Sequence, residues 1–329
     1  MKQLLDPGQL LEMIREPNAA DAGSRMVVGV DLRSQSFGEN QADAIRHWMV
    51  QQPVPVVGLV SEGNSLIEGL DLVLDSESDC EEILGNIEKN PRASAVLVQV
   101  TRVTEALPVP AALSMESLGY ATLQGGEEFE RWLAGFKNSK TSEAPVEFPD
   151  PVLLEREGQA LHIILNTPQN RNALSVPMRD ALSEAFKLVA MDDSIEHVFV
   201  SGNGPSFSAG GDLAEFGSAR DLTQAHQIRQ LRMPAQYLAA HAGKYTVNLH
   251  GACIGAGIEM TAFAGQVRAS DDTFFQLPEV AMGLIPGAGG CVSIPRRIGR
   301  HRMNYLAISG KKLSAQDALS WGLVDEIID

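Results

Sequence analysis

Cysteine is scarce in this chain, which has only three, at positions 80, 253 and 291, among 329 residues. An odd number of widely spaced cysteines argues against a disulfide framework, and their spacing matches no zinc motif. The sequence therefore predicts a protein of the reducing cytoplasm that has no metal site.

Long apolar runs are also missing. A membrane-spanning helix needs about 20 apolar residues, and no stretch of this sequence approaches that length. The first residues, "MKQLLDPGQLLEMIREP", contain acidic side chains and no apolar core, so they do not resemble a secretory signal. A hydrophobic content of 44% is ordinary for a soluble globular protein. We expect no contact with a membrane.

Positive charge is in short supply: 26 basic residues face 42 acidic ones, which leaves a formal net charge of -16. This balance argues against binding to nucleic acid or to an anionic membrane. One basic cluster, "RRIGRHR" at residues 296–302, is an exception. It is either a solvated helix face or a site that attracts phosphates or meets a partner subunit.

A polar, proline-containing segment divides the chain. Residues 137–151, "KNSKTSEAPVEFPDP", lack apolar periodicity and are typical of a linker. Residues 1–136 alternate strand-like runs, including "SAVLVQVT" at 94–101, with helix-like stretches at 80–88 and 127–136. This alternation predicts a smaller N-terminal α/β domain, to which the sequence assigns no role.

Residues 152–329 continue the alternation and predict a layered α/β domain. Strands are expected at "QALHIIL", "EHVFVSGN" and "KYTVNLHG", and helices at 175–190 and 219–242. "GAGIEMTAFAG" is expected to open another helix. Near the end, Ser314 is predicted to be an N-cap and Gly322 a helix stop.

Two glycine-rich turns, "SAGGDL" and "HGACIGAGIE", each place backbone amides near the start of a helix. Such amides lack intrahelical partners and favour negative charge. Either turn alone is more typical of a structural turn, but two that converge on one oxygen would form an oxyanion hole. Met260 replaces the third glycine of a dinucleotide-binding fingerprint, which argues against a nicotinamide cofactor.

Two glutamates accompany these turns. Glu259 lies at the start of the expected helix, and Glu279 lies in the apolar stretch "FFQLPEVAMGLIPGAGG". Glu279 is either a solvated loop residue or a carboxyl with a function, because a charge in apolar surroundings is costly. Sharing one pocket would raise the pKa of at least one carboxyl, as suits acid–base catalysis. No G-x-S-x-G motif supports a serine hydrolase.

Four motifs in order resemble the crotonase superfamily, the enoyl-CoA hydratase/isomerase group. They are "SGNGPSFSAGGDLAEF", "VNLHGACIGAGIEMTAFAG", "FQLPEVAMGLIPGAGG" and "ISGKKLSAQDALSWGLVDEII". The earlier "TPQNRNALS" is similar to the family's acyl-CoA-binding segment. The resemblance runs from about residue 151 to the last residue and implies a crotonase-like (spiral ββα) domain at 152–329.

The resemblance also implies the residues of a site. By position, the oxyanion amides fall on Gly211 and Ala256, and the two hydratase glutamates on Glu259 and Glu279. The remaining residues implied to bind substrate are Asn172, Ala173, Leu174, Ala209, Gly210, Asp212, Leu213, Gly255 and Gly287.

The implied activity is addition of water to a trans-2-enoyl thioester, or its removal, with coenzyme A as part of the substrate and no separate cofactor. Isomerisation or thioester hydrolysis on the same fold is the alternative within the enzyme class. A catalytically silent subunit of a complex is the alternative outside it. Family members usually continue into C-terminal helices that help them to trimerise, and these are missing after "GLVDEIID". We expect a homo-oligomer or an association with a partner chain.

Overall fold

The N-terminal region begins with a small parallel sheet. The computed structural model describes residues 4–15, 25–34, 37–61, 63–139 and 150–329. The sheet has the order β1-β2-β3, and every pair is parallel. Its strands and its two helices are α1 (Pro7–Arg15), β1 (Val28–Asp31), α2 (Glu39–Val50), β2 (Val56–Leu59) and β3 (Leu72–Leu74). This confirms that the N-terminal region is a smaller α/β unit.

Four helices follow the small sheet. They are α3 (Glu77–Lys89), α4 (Pro91–Thr104), α5 (Val109–Gln124) and α6 (Glu127–Ser139). The helices expected at 80–88 and 127–136 are thus confirmed as parts of α3 and α6. The first three residues of the expected linker continue α6, whereas 140–149 lie outside the described residues. The boundaries at 136 and 152 stay a prediction.

The strand predicted at residues 94–101 is wrong, because this segment belongs to α4. Pro91 stands at the start of the helix, where its missing N–H is tolerated. Most of its buried positions recur at helical spacing, at Ala93, Leu97, Val98, Thr101 and Thr104. The β-branched side chains favour a strand by only a fraction of a kcal/mol each, and burial of one helical face outweighs that preference.

The C-terminal region contains a six-stranded sheet of order β12-β9-β7-β6-β5-β4 and a three-stranded sheet of order β11-β10-β8. Only the β4–β5 and β10–β11 pairs are antiparallel. The strands are β4 (Val152–Glu157), β5 (Ala160–Leu165), β6 (His197–Gly202), β7 (Tyr245–Leu249), β8 (Ala252–Ile254), β9 (Gln266–Ser270), β10 (Phe274–Gln276), β11 (Leu313–Ser314) and β12 (Glu326–Ile328).

The helices of this region are α7 (Val176–Met191), α8 (Leu222–Arg232), α9 (Ala235–Ala240), α10 (Ala256–Glu259), α11 (Gly290–Ile298), α12 (Arg300–Ser309) and α13 (Ala315–Trp321). The helix expected over 219–242 is therefore two helices. Met233 is extended because a following proline disfavours helical geometry. The helix expected to open at "GAGIEMTAFAG" is a single turn, α10. The predicted cap at Ser314 and stop at Gly322 are confirmed.

The N-terminal helices and the C-terminal region share one hydrophobic core, which includes Leu97 of α4 and Ile294 of α11. The basic cluster at 296–302 strengthens this contact. Arg300, which is buried, lies 3.1 Å from the buried carboxylate of Asp71, and Arg296 donates to the carbonyls of Thr104 and Leu107. Neither interpretation of the cluster therefore holds for these two arginines, which bind the N-terminal region of the same chain. Among the described helices, none is long and apolar enough to cross a bilayer.

Candidate active site

The two glycine-rich turns lie side by side. The Ser208 amide donates to the carbonyl of Ala252, and the Ile254 amide donates back to the carbonyl of Ser208 at 3.0 Å. Gly210 has a φ of +85°, and a Cβ there would lie 2.7 Å from the carbonyl oxygen of Ile254. Only glycine allows this approach, which explains why the first turn lacks a side chain at this position.

The turns leave two backbone amides free. The carbonyl of Gly210 accepts from the amide of Leu174, and the carbonyl of Leu174 accepts from the amide of Asp212. These bridge hydrogen bonds leave the amide of Gly211 unused. Ala256 is the first residue of α10, where an amide has no intrahelical acceptor. Neither amide donates to another described residue, and both residues line a cavity of about 530 Å³. Together they can hold a negatively charged oxygen.

Two glutamates lie at the floor of the same cavity. Glu259 ends α10 and is 2% exposed, whereas Glu279 begins the turn after β10. A Cβ placed on Gly255 would lie 2.4 Å from Oε1 of Glu279 and 3.6 Å from Oε1 of Glu259. The two carboxyl groups therefore flank Gly255, close enough for one small molecule to contact both.

The two carboxyl groups have different surroundings. Oε2 of Glu259 accepts hydrogen bonds from the amides of Ala288 (2.7 Å) and Gly290 (3.1 Å). Burial raises the pKa of Glu259 to about 7, and these amides oppose that rise. Oε2 of Glu279 is buried without a hydrogen-bond partner among the described residues. Burial, and then repulsion from Glu259, raises the pKa of Glu279 well above its usual range. Glu279 is therefore the carboxyl that more readily keeps its proton, and Glu259 is the carboxyl whose anion is better stabilised.

A third buried carboxyl reaches this site from the N-terminal region. Glu116 of α5 is 2% exposed and accepts hydrogen bonds from the amides of Gly289 (2.7 Å) and Cys291 (2.8 Å). Burial raises its pKa, and the charge of Glu259 adds to the rise. Four successive amides at the start of α11 thus alternate between Glu259 and Glu116. Glu116 was not among the residues predicted from the sequence, although it is the only charged residue in the sixteen residues of α5.

We expect Glu116→Ala to lower the free energy of unfolding by about 3 kcal/mol, because it leaves two buried amides without an acceptor. Glu116→Gln keeps one amide oxygen as acceptor, so its loss should be about 1 kcal/mol. Urea unfolding followed by circular dichroism measures both. Glu130→Ala, an exposed site on α6, is the matched control. Equal stability of the Glu116→Ala and Glu130→Ala variants would contradict this role.

Helix α5 also forms a wall of the cavity that contains Glu259 and Glu279. Tyr120 and Gln124 line it together with Arg229 of α8. A Cβ on Gly287 would lie 2.3 Å from the ring of Tyr120, so the ring packs directly on the turn that precedes α11. Part of the site therefore comes from residues outside the segment that carried the resemblance.

The residues predicted for the site fall into two groups. Those that line the cavity are Leu174, Gly211, Asp212, Ala256, Glu259, Glu279 and Gly287. Those that do not line it are Asn172, Ala173, Ala209, Gly210, Leu213 and Gly255. The buried Asn172 side chain accepts from the Thr167 amide of its own loop and donates to the carbonyls of Asn203 and Ser206, so it joins this loop to the loop after β6. Within the described ranges, no three His, Cys, Asp or Glu side chains form a group that could hold a metal ion.

The C-terminal region is similar in sequence to a known protein family and to several of its members. A family model described as enoyl-CoA hydratase/isomerase matches residues 155–329. Over 176 residues the chain is 31% identical to 2,3-dehydroadipyl-CoA hydratase of Escherichia coli (strain K12), covering 54% of this chain and 68% of that protein. It is 32% identical to the mouse mitochondrial Delta(3,5)-Delta(2,4)-dienoyl-CoA isomerase, covering 51% of this chain and 55% of the relative.

The solved structures include an enoyl-CoA hydratase from Thermoplasma volcanium GSS1. It is 35% identical, with a TM-score of 0.50 over 54% of this chain and 72% of that one. A structure described as an enoyl-CoA hydratase/isomerase from Mycobacterium abscessus is 28% identical, with a TM-score of 0.51 over 54% of this chain and 70% of that one. The expected crotonase-like fold of the C-terminal region is thereby confirmed. The relatives include both hydratases and isomerases.

Proposed function

Because this chain belongs to the enoyl-CoA hydratase/isomerase family, we propose that it adds water to a trans-2-enoyl thioester or catalyses the reverse dehydration. One observation supports this reaction above the others: Glu259 and Glu279 both line the cavity that contains the free amides of Gly211 and Ala256. Coenzyme A is then part of the substrate, and the chain's own residues supply the chemistry.

The proposed mechanism starts at the thioester carbonyl. The amides of Gly211 and Ala256 donate to its oxygen, which draws electrons from the conjugated double bond and makes C3 electrophilic. Each donor is worth about 3 kcal/mol in the transition state. The amides are part of the folded backbone, so they need little reorganisation as the charge develops.

The two glutamates divide the proton transfers. Glu259, whose anion two amides stabilise, accepts a proton from water while the water oxygen bonds to C3. Glu279, which holds its proton more tightly, donates it to C2. The thioester carbonyl then reforms, and the enoyl group has become a 3-hydroxyacyl group. Dehydration follows the same steps in reverse.

The test is turnover of a short trans-2-enoyl-CoA, followed as loss of the ultraviolet absorbance of its conjugated thioester. Rapid loss with formation of the hydroxyacyl product supports the proposal. If the absorbance is lost without formation of a hydroxyacyl product, hydration is rejected; a shifted double bond then identifies an isomerase, and release of free thiol identifies a thioester hydrolase. If the thioester binds but the absorbance persists, hydration is rejected as well. If no thioester binds, the chain is better described as a silent subunit.

The rate should be lower at both acidic and alkaline pH than near its optimum. The activity is expected to rise as the pH increases through about 7, because Glu259 must lose its proton to act as a base. It should fall again at higher pH, since Glu279 must keep its proton to act as an acid. The two apparent pKa values belong to the coupled pair. A profile of kcat/KM against pH measures both limbs, and a flat profile through neutral pH would contradict this division of roles.

Three expectations stay predictions: the homo-oligomer or partner chain, the cytoplasmic location, and the use of no cofactor beyond coenzyme A. Sedimentation of the purified chain, alone and with acyl-CoA, would test the first of these.

A further inference from the structure

A second cavity, of about 420 Å³, adjoins the catalytic one. The two cavities share Arg229, Met233 and Gly287 as lining residues. Most of the second cavity is apolar, with Val109, Pro110 and Leu113 from α5 on one side and Tyr237 and Ala240 from α9 on the other. Its size and apolar walls suit part of an acyl chain that extends away from Glu259 and Glu279.

Arg229 places a positive charge where the two cavities meet. Its Nη2 donates to Oε1 of Gln124 at 2.9 Å, and its Nε donates to Oγ of Ser117 at 3.3 Å. Its guanidinium lies 4.4 Å from the ring centroid of Tyr120. These neighbours hold the guanidinium in position, but all of them are uncharged at neutral pH. These side chains also accept fewer hydrogen bonds than the N–H groups of the guanidinium can donate.

No carboxylate among the described residues forms an ion pair with Arg229. By contrast, Arg102 and Arg300, which are more deeply buried, both pair with Asp71. The nearby Glu116 uses both of its oxygens to accept the amides at the start of α11. A guanidinium that is partly removed from water without a counter-ion is unfavourable, so an anion that binds there recovers that energy.

We propose that Arg229 binds a carboxylate at the far end of the substrate's acyl group, so that the substrates are ω-carboxyacyl thioesters. This inference rests on the proposed function, because the thioester end must lie at the amides of Gly211 and Ala256. The flat, forked guanidinium matches a carboxylate with two parallel hydrogen bonds. The carboxylate then lies where the two cavities meet.

The test compares saturated ligands, which bind but cannot be hydrated. Calorimetry measures the affinity of the full chain for succinyl-, adipyl- and suberyl-CoA against butanoyl-, hexanoyl- and octanoyl-CoA. At the chain length that reaches Arg229, we expect the carboxylate to strengthen binding by about tenfold or more. The Arg229→Gln variant should lose this preference, and Arg229→Lys should keep part of it, since it retains the charge but not the fork.

Arg179→Gln is the matched control. Arg179 also lines the catalytic cavity, but it is paired with Asp180 at 2.7 Å. This variant should change the affinity of both ligand series equally. The inference is overturned if the wild-type chain shows no preference at any length, or if Arg229→Gln keeps the preference. In either case, turnover of an enoyl-CoA with a methyl end would leave the proposed function standing. If no thioester of either series binds, both proposals fail.

Discussion

Replacing Glu279 with Gln is expected to lower kcat about a thousandfold, the range that general acid catalysis contributes. The amide has nearly the same shape as the carboxyl group but cannot supply an acidic proton to C2. Its affinity for a saturated acyl-CoA should stay within about twofold, because the thioester oxygen is held by backbone amides. Stopped-flow or steady-state turnover gives kcat, and calorimetry gives the affinity.

Stability separates a catalytic role from a structural one for Glu279. Oε2 of Glu279 is buried without a hydrogen-bond partner among the described residues, so replacing it breaks no hydrogen bond to them. A carboxyl whose pKa is raised by folding destabilises the folded state as the pH rises through that pKa, and Gln removes this effect. Glu279→Gln should therefore be at least as stable as the wild type at neutral pH.

The control is Glu184→Gln, at an exposed position on α7, and this variant should turn over the enoyl-CoA at the wild-type rate. If Glu279→Gln lost binding and stability together with turnover, Glu279 would be a structural residue. If it kept wild-type turnover, the proposed acid would be wrong.

Replacing Ala256 with Pro is expected to lower kcat/KM by about a hundred- to a thousandfold, because it deletes one amide donor to the developing oxyanion. The position suits such a test. Ala256 is the first residue of α10, where proline is well tolerated, and Gly255 before it has no Cβ to clash with the proline ring. Turnover of the enoyl-CoA measures the loss.

Ala256→Gly retains the amide and should keep most of the activity, which makes it the matched control. Circular dichroism and the thermal transition establish whether the proline variant is folded. A folded Ala256→Pro variant with wild-type kcat/KM would remove this amide from the mechanism. Loss of activity in both variants would show that the methyl group of Ala256, and not its N–H, is needed.

Features that depend on near neighbours in the chain were predictable. The cap at Ser314 needs only an amide three residues later, and the stop at Gly322 needs only a residue that accepts a positive φ. The same holds for the turn at Gly210, where the glycine allows a close backbone approach. Local pattern failed at residues 94–101, because the helical face of α4 is stabilised by α5 and α11, which come later in the chain.

The sequence by itself determined the family of the C-terminal region and the order of its glycine turns and glutamates, because these lie within short motifs. Only the tertiary structure decided that α5 reaches both cavities, with Tyr120 and Gln124 lining the first and Glu116 lining the second. It also decided that Arg229 lines both cavities without an acidic partner among the described residues. These contacts join parts of the chain that are far apart in sequence. Their geometry depends on how the N-terminal helices pack on the shared core, which no local pattern encodes.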